Sequence, residues 1–520
     1  MKKIATALLS CALSAATLAG CAANAAQVPQ ESQEPHTAAL TATAAASVKS
    51  PKYVFLFIGD GMSYPQIQST SDYLGALKDA DYWQAQPSLD DNQGAILDGP
   101  EYLNFMNFEA AGSAVTYDSN SFAPDSASTA TSISTGHKTY SGSINVDETG
   151  TIEYETIAEQ LKAQKGWEIG VITSVNLNHA TPAAFYAHQA SRSSYYEIGL
   201  ELVESGFDYF AGGGLLKPTG SSGDQTDLYE LAQEAGYTVA KTHAEADAIG
   251  TNTEKAIIID EDLADSDAMA YELDRTDDMW ALADYVAKGI EVLDNDTGFF
   301  MMCEGGKIDW ACHANDAASS IHDTQALADA VQVAIDFAKE HADETLILVT
   351  GDHETGGLTI GFAGTDYDTY LDLLESQKIS YAKFDSDYVA SYKANKTPFG
   401  TVLADIEKLF GLKAQGEEGD KLVLTAYEME QLRAAYEKSI NGTASSQYDQ
   451  AEYVLYGTYE PLSVTITHII NNKSGISFTS YSHTGLPVAV LAEGAGSEMF
   501  NGYYDNTDIY NKLADLLNIA

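Results

Sequence analysis

The chain has 520 residues, 27 Lys and Arg against 76 Asp and Glu, and a formal charge of −49. Hydrophobic residues at 45% exclude an acidic disordered tail, and so negative a surface excludes nucleic-acid binding, which needs cations opposite the phosphates. An anionic substrate must therefore be drawn by something local, such as a metal cluster.

Lys2 and Lys3 precede an apolar run from Ile4 to Leu18, too short to span a bilayer, so residues 1–20 read as an export signal. Leu18-Ala19-Gly20-Cys21 resembles a lipobox, with Cys21 cleaved and lipidated; the alternative is a soluble form cut near Ala23-Asn24-Ala25. Residues 21–50, rich in Ala, Thr and Ser, read as a tether. Beyond them no apolar run is long enough to cross a membrane. The expectation is export across the inner membrane to the periplasm or cell surface, with membrane contact only through the lipid. Cys303 and Cys312 are left as a disulfide or as two buried thiols.

Five apolar runs predict strands: Tyr53 to Ile58, Glu168 to Val175, Phe299 to Cys303, Leu346 to Thr350 and Val488 to Leu491. Helix-like stretches alternate with them, most clearly over 316–340, where Leu327, Val331, Ile335 and Ala338 recur at helical spacing. The predicted fold class is α/β, a mostly parallel sheet with helices on both faces, filling 51–520. Residues 358–480, rich in Tyr, Asp, Ser and Gly with a helical segment at 423–439, read as a large insertion.

Open α/β sheets place their sites at the carboxyl ends of strands. Asp60, Glu304, Asp352 and His353 each follow an apolar run directly. Asp309 and His313 are spaced i, i+4, which sets them on one face of a helical turn, and His483 precedes the last run. Such imidazole and carboxylate ligands suit zinc, whereas a carboxylate and hydroxyl set suits magnesium. In Pro124-Asp125-Ser126-Ala127 a loop turns into a small-residue helix. Ser126 there meets the positive end of a helix dipole and free N–H donors; the plainer reading is a helix cap. No G-x-S-x-G elbow is present, so a metal must stand in for the general base.

These residues resemble the alkaline phosphatase family. The resemblance rests on Phe57-Ile58-Gly59-Asp60-Gly61-Met62, Pro124-Asp125-Ser126-Ala127, His179-Ala180-Thr181-Pro182 with Ser191-Arg192, and Phe210-Ala211-Gly212-Gly213-Gly214. It continues through Glu304 to His313, Gly351 to Gly357, and Ser482-His483-Thr484-Gly485. The resemblance implies a phosphomonoesterase that works through a phosphoserine, with two Zn2+ and one Mg2+ per chain. By the same resemblance Asp309, His313 and His483 would hold one zinc; Asp60, Asp352 and His353, with Ser126, the other. Asp60, Thr181 and Glu304 would hold magnesium, with His179 as a further metal residue that would alternatively admit zinc to this third site; Arg192 would grip two phosphate oxygens, with Trp310 near the substrate. His179 and Trp310 stand where some members carry Asp and Lys, which implies a looser hold on phosphate. Inserts of this kind in the family imply a homodimer.

Rival readings are a phosphodiesterase of the same superfamily and a surface lipoprotein that binds metal or phosphate without catalysis. A sulfatase is excluded because no x-Pro-x-Arg follows the nucleophile. Arg192 favours a monoester, which offers two free oxygens. The charge suits a surface adapted to high salt, where self-repulsion is screened; thermal stability that rises with NaCl is the matching expectation.

Overall fold

The computed structural model describes residues 50–79, 97–442 and 444–519. The signal, Cys21 and all but the last residue of the tether lie outside the described residues. Among the described residues no helix is long and apolar enough to cross a membrane.

Ten strands form one sheet: β1 (Tyr53–Gly59), β2 (Ala110–Val115), β3 (Glu168–Asn176), β4 (Tyr209–Gly213), β5 (Thr238–Ala240), β6 (Ala256–Ile259), β7 (Phe299–Gly305), β8 (Thr345–Gly351), β13 (Val488–Gly494) and β14 (Gly502–Asp505). Between β8 and β13 in the chain lie four two-residue strands, β9 (Glu354–Thr355), β10 (Thr359–Ile360), β11 (Ile476–Ser477) and β12 (His483–Thr484), which pair as β9 with β12 and β10 with β11. The sheet order is β14-β2-β13-β8-β1-β7-β3-β4-β6-β5.

The middle of the sheet is parallel, and β1, β7 and β8 are buried along their whole length. That is why their sequences are continuous apolar runs rather than alternating ones. Alternate side chains still part to opposite faces: Val54, Leu56 and Ile58 join one hydrophobic cluster, Tyr53, Phe55 and Phe57 the other. The helix Ala317–Glu340 packs Leu327 and Val331 into the second of these.

The fifth run departs from a uniformly parallel sheet. β13 pairs antiparallel with both β8 and β2. Its start therefore lies at the edge where the other strands end, which is how His483, upstream of the strand, reaches the same edge as residues that follow theirs.

Residues 358–480 are mainly helical and carry most of a third hydrophobic cluster, with Leu371, Phe384, Val402, Ile406, Phe410, Leu432 and Ile466. Tyr73, Ala76, Ala317 and Ile321 of the sheet-bearing region pack into the same cluster. Cys303 and Cys312 are both buried free thiols, which decides the open alternative against a disulfide.

Candidate active site

Strand register builds the floor of the site. Gly59 pairs with Gly305 on one side and with Gly351 on the other, so β1, β7 and β8 end at one level. Asp60, Glu304 and Asp352 consequently converge, each buried. Gly61 has φ 71°, and a Cβ there would stand 2.8 Å from Thr355 Oγ1 and 3.0 Å from Asp309 Cα. Glycine is thus needed both for the turn and for the close approach of the Asp309 segment. The β9–β12 ribbon sets His483 opposite Thr355 and stacks its ring on His353 at 3.7 Å.

Three groups of donor atoms result. In the first, Asp309 Oδ1 lies 3.3 Å from His313 Nε2 and 3.6 Å from His483 Nε2, and the two Nε2 atoms are 3.0 Å apart. His313 Nδ1 donates to the Tyr481 carbonyl and His483 Nδ1 to the Pro124 carbonyl, both at 2.6 Å. With Nδ1 of each ring turned to a carbonyl, the two Nε2 atoms and a carboxylate oxygen face one another, and a cation that displaces the Nε2 proton of His313 would find two lone pairs and a carboxylate there. In the second group His353 Nε2 lies 3.4 Å from Asp60 Oδ1 and from Asp352 Oδ2. In the third, Asp60, His179 and Glu304 bring ligand atoms within 4.8 Å of one another, with Thr181 Oγ1 3.2 Å from Asp60 Oδ2. Glu304 Oε1 and His179 Nδ1 are buried and have no hydrogen-bond partner among the described residues. An orphaned buried carboxylate oxygen is costly, and its presence here fits a bound cation.

The electrostatics agree. Burial and then the charges of Asp352, Asp309 and Glu304 push Asp60 well above the usual carboxylate range. Burial likewise raises Glu304 and Asp352 to about 7 each. Asp309 is buried too, yet His313 and His483 hold it well below the ordinary value. Burial keeps His353 (about 4) and His483 (about 4) neutral, the form that ligates metal, and His179 (about 3) neutral too, whereas Asp309 outweighs burial and raises His313 to about 8, so a cation there must displace its Nε2 proton. Four buried carboxylates at one sheet edge are a site for divalent cations.

Ser126 is the first residue of the helix Ser126–Thr135, fully buried, with Asp125 as its N-cap. Its Oγ lies 3.1 Å from His353 Nε2 and 3.4 Å from Asp60 Oδ1. Asp125 accepts from Ser128 N, so it does cap the helix, and it also accepts from Arg192 Nη1 at 2.8 Å. Arg192 Nη2 donates to His179 Nε2 at 3.3 Å. That contact leaves the ring proton of His179 on Nδ1. A cavity of about 460 Å³ adjoins this floor, lined by Ser126, Arg192, Asp309, His313 and His483 together with Trp310, Asp265, Tyr381 and Tyr459.

The supporting shell was not visible in the sequence. Thr173 donates to Glu304 Oε2, Thr129 to Asp352 Oδ2 at 3.0 Å, and Thr355 to Asp309 Oδ1 at 2.5 Å. A lone Thr carries no pattern, and only its place at a strand end or on the first turn of a helix gave a signal. Lys307, fully buried and near Asp323 and Asp274, pairs with Asp265 at 2.6 Å and lies 4.7 Å from the Trp310 ring centre.

Residues 51–519 match the family model described as alkaline phosphatase. Alkaline phosphatase 4 of Bacillus subtilis (strain 168) is 30% identical over 473 residues, covering 89% of this chain and 88% of that protein. The cold-active alkaline phosphatase of a psychrophilic Shewanella sp. superposes with a TM-score of 0.68 at 28% identity, covering 89% of this chain and 99% of that one. A His-to-Glu variant of the alkaline phosphatase of the Antarctic bacterium TAB5, with Mg bound in its M3 site, gives 0.60 at 26% identity over 91% of this chain and 99% of the other.

Proposed function

The chain belongs to the alkaline phosphatase family, metal-dependent phosphoric monoester hydrolases, and from that premise we propose that Ser126 is the nucleophile and Arg192 the phosphate clamp. One observation carries this: a buried serine hydroxyl at a helix N-terminus faces both an imidazole and a carboxylate of the donor groups, and Arg192 lines the same cavity.

Arg192, anchored by Asp125 and His179, presents its remaining N–H donors to two phosphate oxygens and orients phosphorus toward Ser126. Ser126 Oγ then bonds to phosphorus as the ester P–O bond breaks, and the alcohol leaves with a proton. Water cleaves the phosphoserine from the vacated side, freeing phosphate and restoring the hydroxyl. Two inversions give net retention at phosphorus. Asp309, His313 and His483 would hold one Zn2+; Asp60, Asp352 and His353 a second; Asp60, Thr181 and Glu304 an Mg2+, with the Nδ1–H of His179 donating toward that site. Such ions stabilise charge on the attacking and leaving oxygens and lower the pKa of water.

Beyond the chemistry, we propose an exported chain anchored through Cys21, with 21–50 as tether and 358–480 as an insertion in one domain. The Leu18-Ala19-Gly20-Cys21 motif supports the anchor, and detergent-phase partitioning lost in Cys21→Ser tests it. A homodimer is the assembly we propose, checked by light scattering.

The central experiment is turnover of p-nitrophenyl phosphate, its bis ester and the sulfate, with metal analysis of wild type and Ser126→Ala. The expected result is monoester turnover, near three metals per chain, about two of them zinc, and collapse of turnover by at least about 10³-fold in the variant. Preference for the bis ester would favour a phosphodiesterase; full activity in Ser126→Ala would end the nucleophile assignment.

A further inference from the structure

A phosphoryl group seated between Ser126 and Arg192 fills only part of the 460 Å³ cavity, so the mouth must receive the alcohol portion of the ester. Besides the polar groups of the floor, its lining includes an aromatic wall: Trp310 from the helix after β7, and Tyr381 and Tyr459 from the 358–480 region. The three rings are held in place. Tyr381 meets Tyr271 and Tyr459 edge to face, at 5.8 and 5.9 Å, and its hydroxyl lies 3.2 Å from that of Tyr271. Tyr459 stacks on Tyr481 at 6.1 Å. Trp310 lies between the ammonium of Lys307 and the edge of His179, 5.9 Å away.

The charges on this wall are already matched. Asp265, the carboxylate at the mouth, is taken up by the buried Lys307 at 2.6 Å. The rings therefore share this part of the lining with a paired rather than a free Asp265. Asp309 is among the charges acting on the Tyr459 phenol, which puts that ring on the side of the Asp309–His313–His483 group. Rings with only two rotatable bonds, already immobilised, lose little entropy when a flat partner stacks on them.

We infer that this wall, Tyr459 included, selects phosphate monoesters whose alcohol carries a planar aromatic or heteroaromatic ring. The inference rests on the phosphomonoesterase reading above and adds to it the substrate class, together with a role for two residues of the insertion.

The test compares competitive inhibition of the metal-loaded enzyme by phenylphosphonate, methylphosphonate and 2-aminoethylphosphonate, which share the phosphonate and cannot be hydrolysed. Phenylphosphonate should bind roughly 3- to 10-fold more tightly than methylphosphonate. The ratio should fall toward one in Tyr459→Ala and persist in Tyr459→Phe. Equal inhibition by phenyl and methyl compounds in the wild type would overturn the inference, and so would loss of the ratio in Tyr459→Phe. Tightest binding of the aminoethyl compound would overturn it in favour of a cation-binding wall. If Tyr459→Ala fails to fold, the wild-type ranking and the Phe variant still decide. Absence of any monoester turnover would sink the phosphatase reading itself, an outcome distinct from equal inhibition.

Discussion

The floor of the cavity and its aromatic wall are made by different kinds of structure. Asp60, Glu304 and Asp352 stand at the ends of three adjacent parallel strands whose register is fixed by continuous pairing from Tyr53 to Gly59. Tyr381 opens a short helix and Tyr459 sits in the bend between two helices of 358–480, a region that carries most of a separate hydrophobic cluster and contributes only two-residue strands. A sheet edge holds ligand atoms to the tolerance that metal and phosphoryl chemistry require. Helices packed beside it can change their side chains without disturbing that edge. The contrast assigns the reaction to the floor and the choice of alcohol to the wall.

The hardest challenge to this division is metal removal. Chelation should reduce turnover by more than about 10³-fold and lower Tm by on the order of 10 °C, because crowded buried carboxylates lose their counter-ions. Calorimetry of the stripped and reloaded enzyme checks this. An unaltered Tm would mean that the floor needs no cation to be stable.

Arg192→Lys should reduce kcat/KM by roughly 10- to 100-fold, since a lysine cannot bridge two oxygens while also holding Asp125 and His179. Steady-state kinetics decide, and a loss confined to bulky aromatic esters would place Arg192 with the wall instead of the floor.

His188 ties the segment that carries Arg192 to the helices Ile157–Lys165 and Tyr195–Glu204. Burial opposes its charge, but Glu159 and Glu201 outweigh that and raise it to about 10. A raised folded pKa adds stability that is complete below the unfolded value of about 6.5 and fades as pH climbs toward 10. His188→Gln should therefore cost about 1–3 kcal/mol at pH 6 and little above pH 10, as read by urea denaturation. An equal cost at both pH values would remove the charge from the explanation.

Asp385 offers the smallest effect, on the insertion side. Its Oδ1 is buried without a partner among the described residues, and burial raises the carboxyl to about 8. The unfolded chain ionises near pH 4, so the native state loses stability as pH rises from there toward 8. Asp385→Asn should be near neutral at pH 4 and stabilise by about 1 kcal/mol at pH 9, with monoester turnover unaltered. Altered turnover would couple the 358–480 region to the floor.

The floor was legible because its chemistry is written in short local strings. Asp309 and His313 declare themselves by helical spacing, Asp60 by its glycines, and Asp352-His353 by following an apolar run. The supporting residues were not legible. Thr129, Thr173 and Thr355 hydrogen-bond to Asp352, Glu304 and Asp309, which lie 223, 131 and 46 positions away, and such contacts leave no periodic trace. Asp125 was visible as a cap, but its grip on Arg192 depends on two distant loops meeting.

The amino-acid order by itself determined five of the ten sheet strands, the helix at 316–340, the ligand-bearing motifs and the family, since all of these follow from local periodicity and from residue types at short spacing. Tertiary structure alone decided that β13 runs backwards, that Cys303 and Cys312 stay apart, that two imidazole Nε2 atoms meet at 3.0 Å, and that Tyr381 and Tyr459 roof the cavity. Those outcomes depend on where separate segments land once the sheet has closed and the helical region has packed against it. Chain order constrains such meetings only through the whole of the packing.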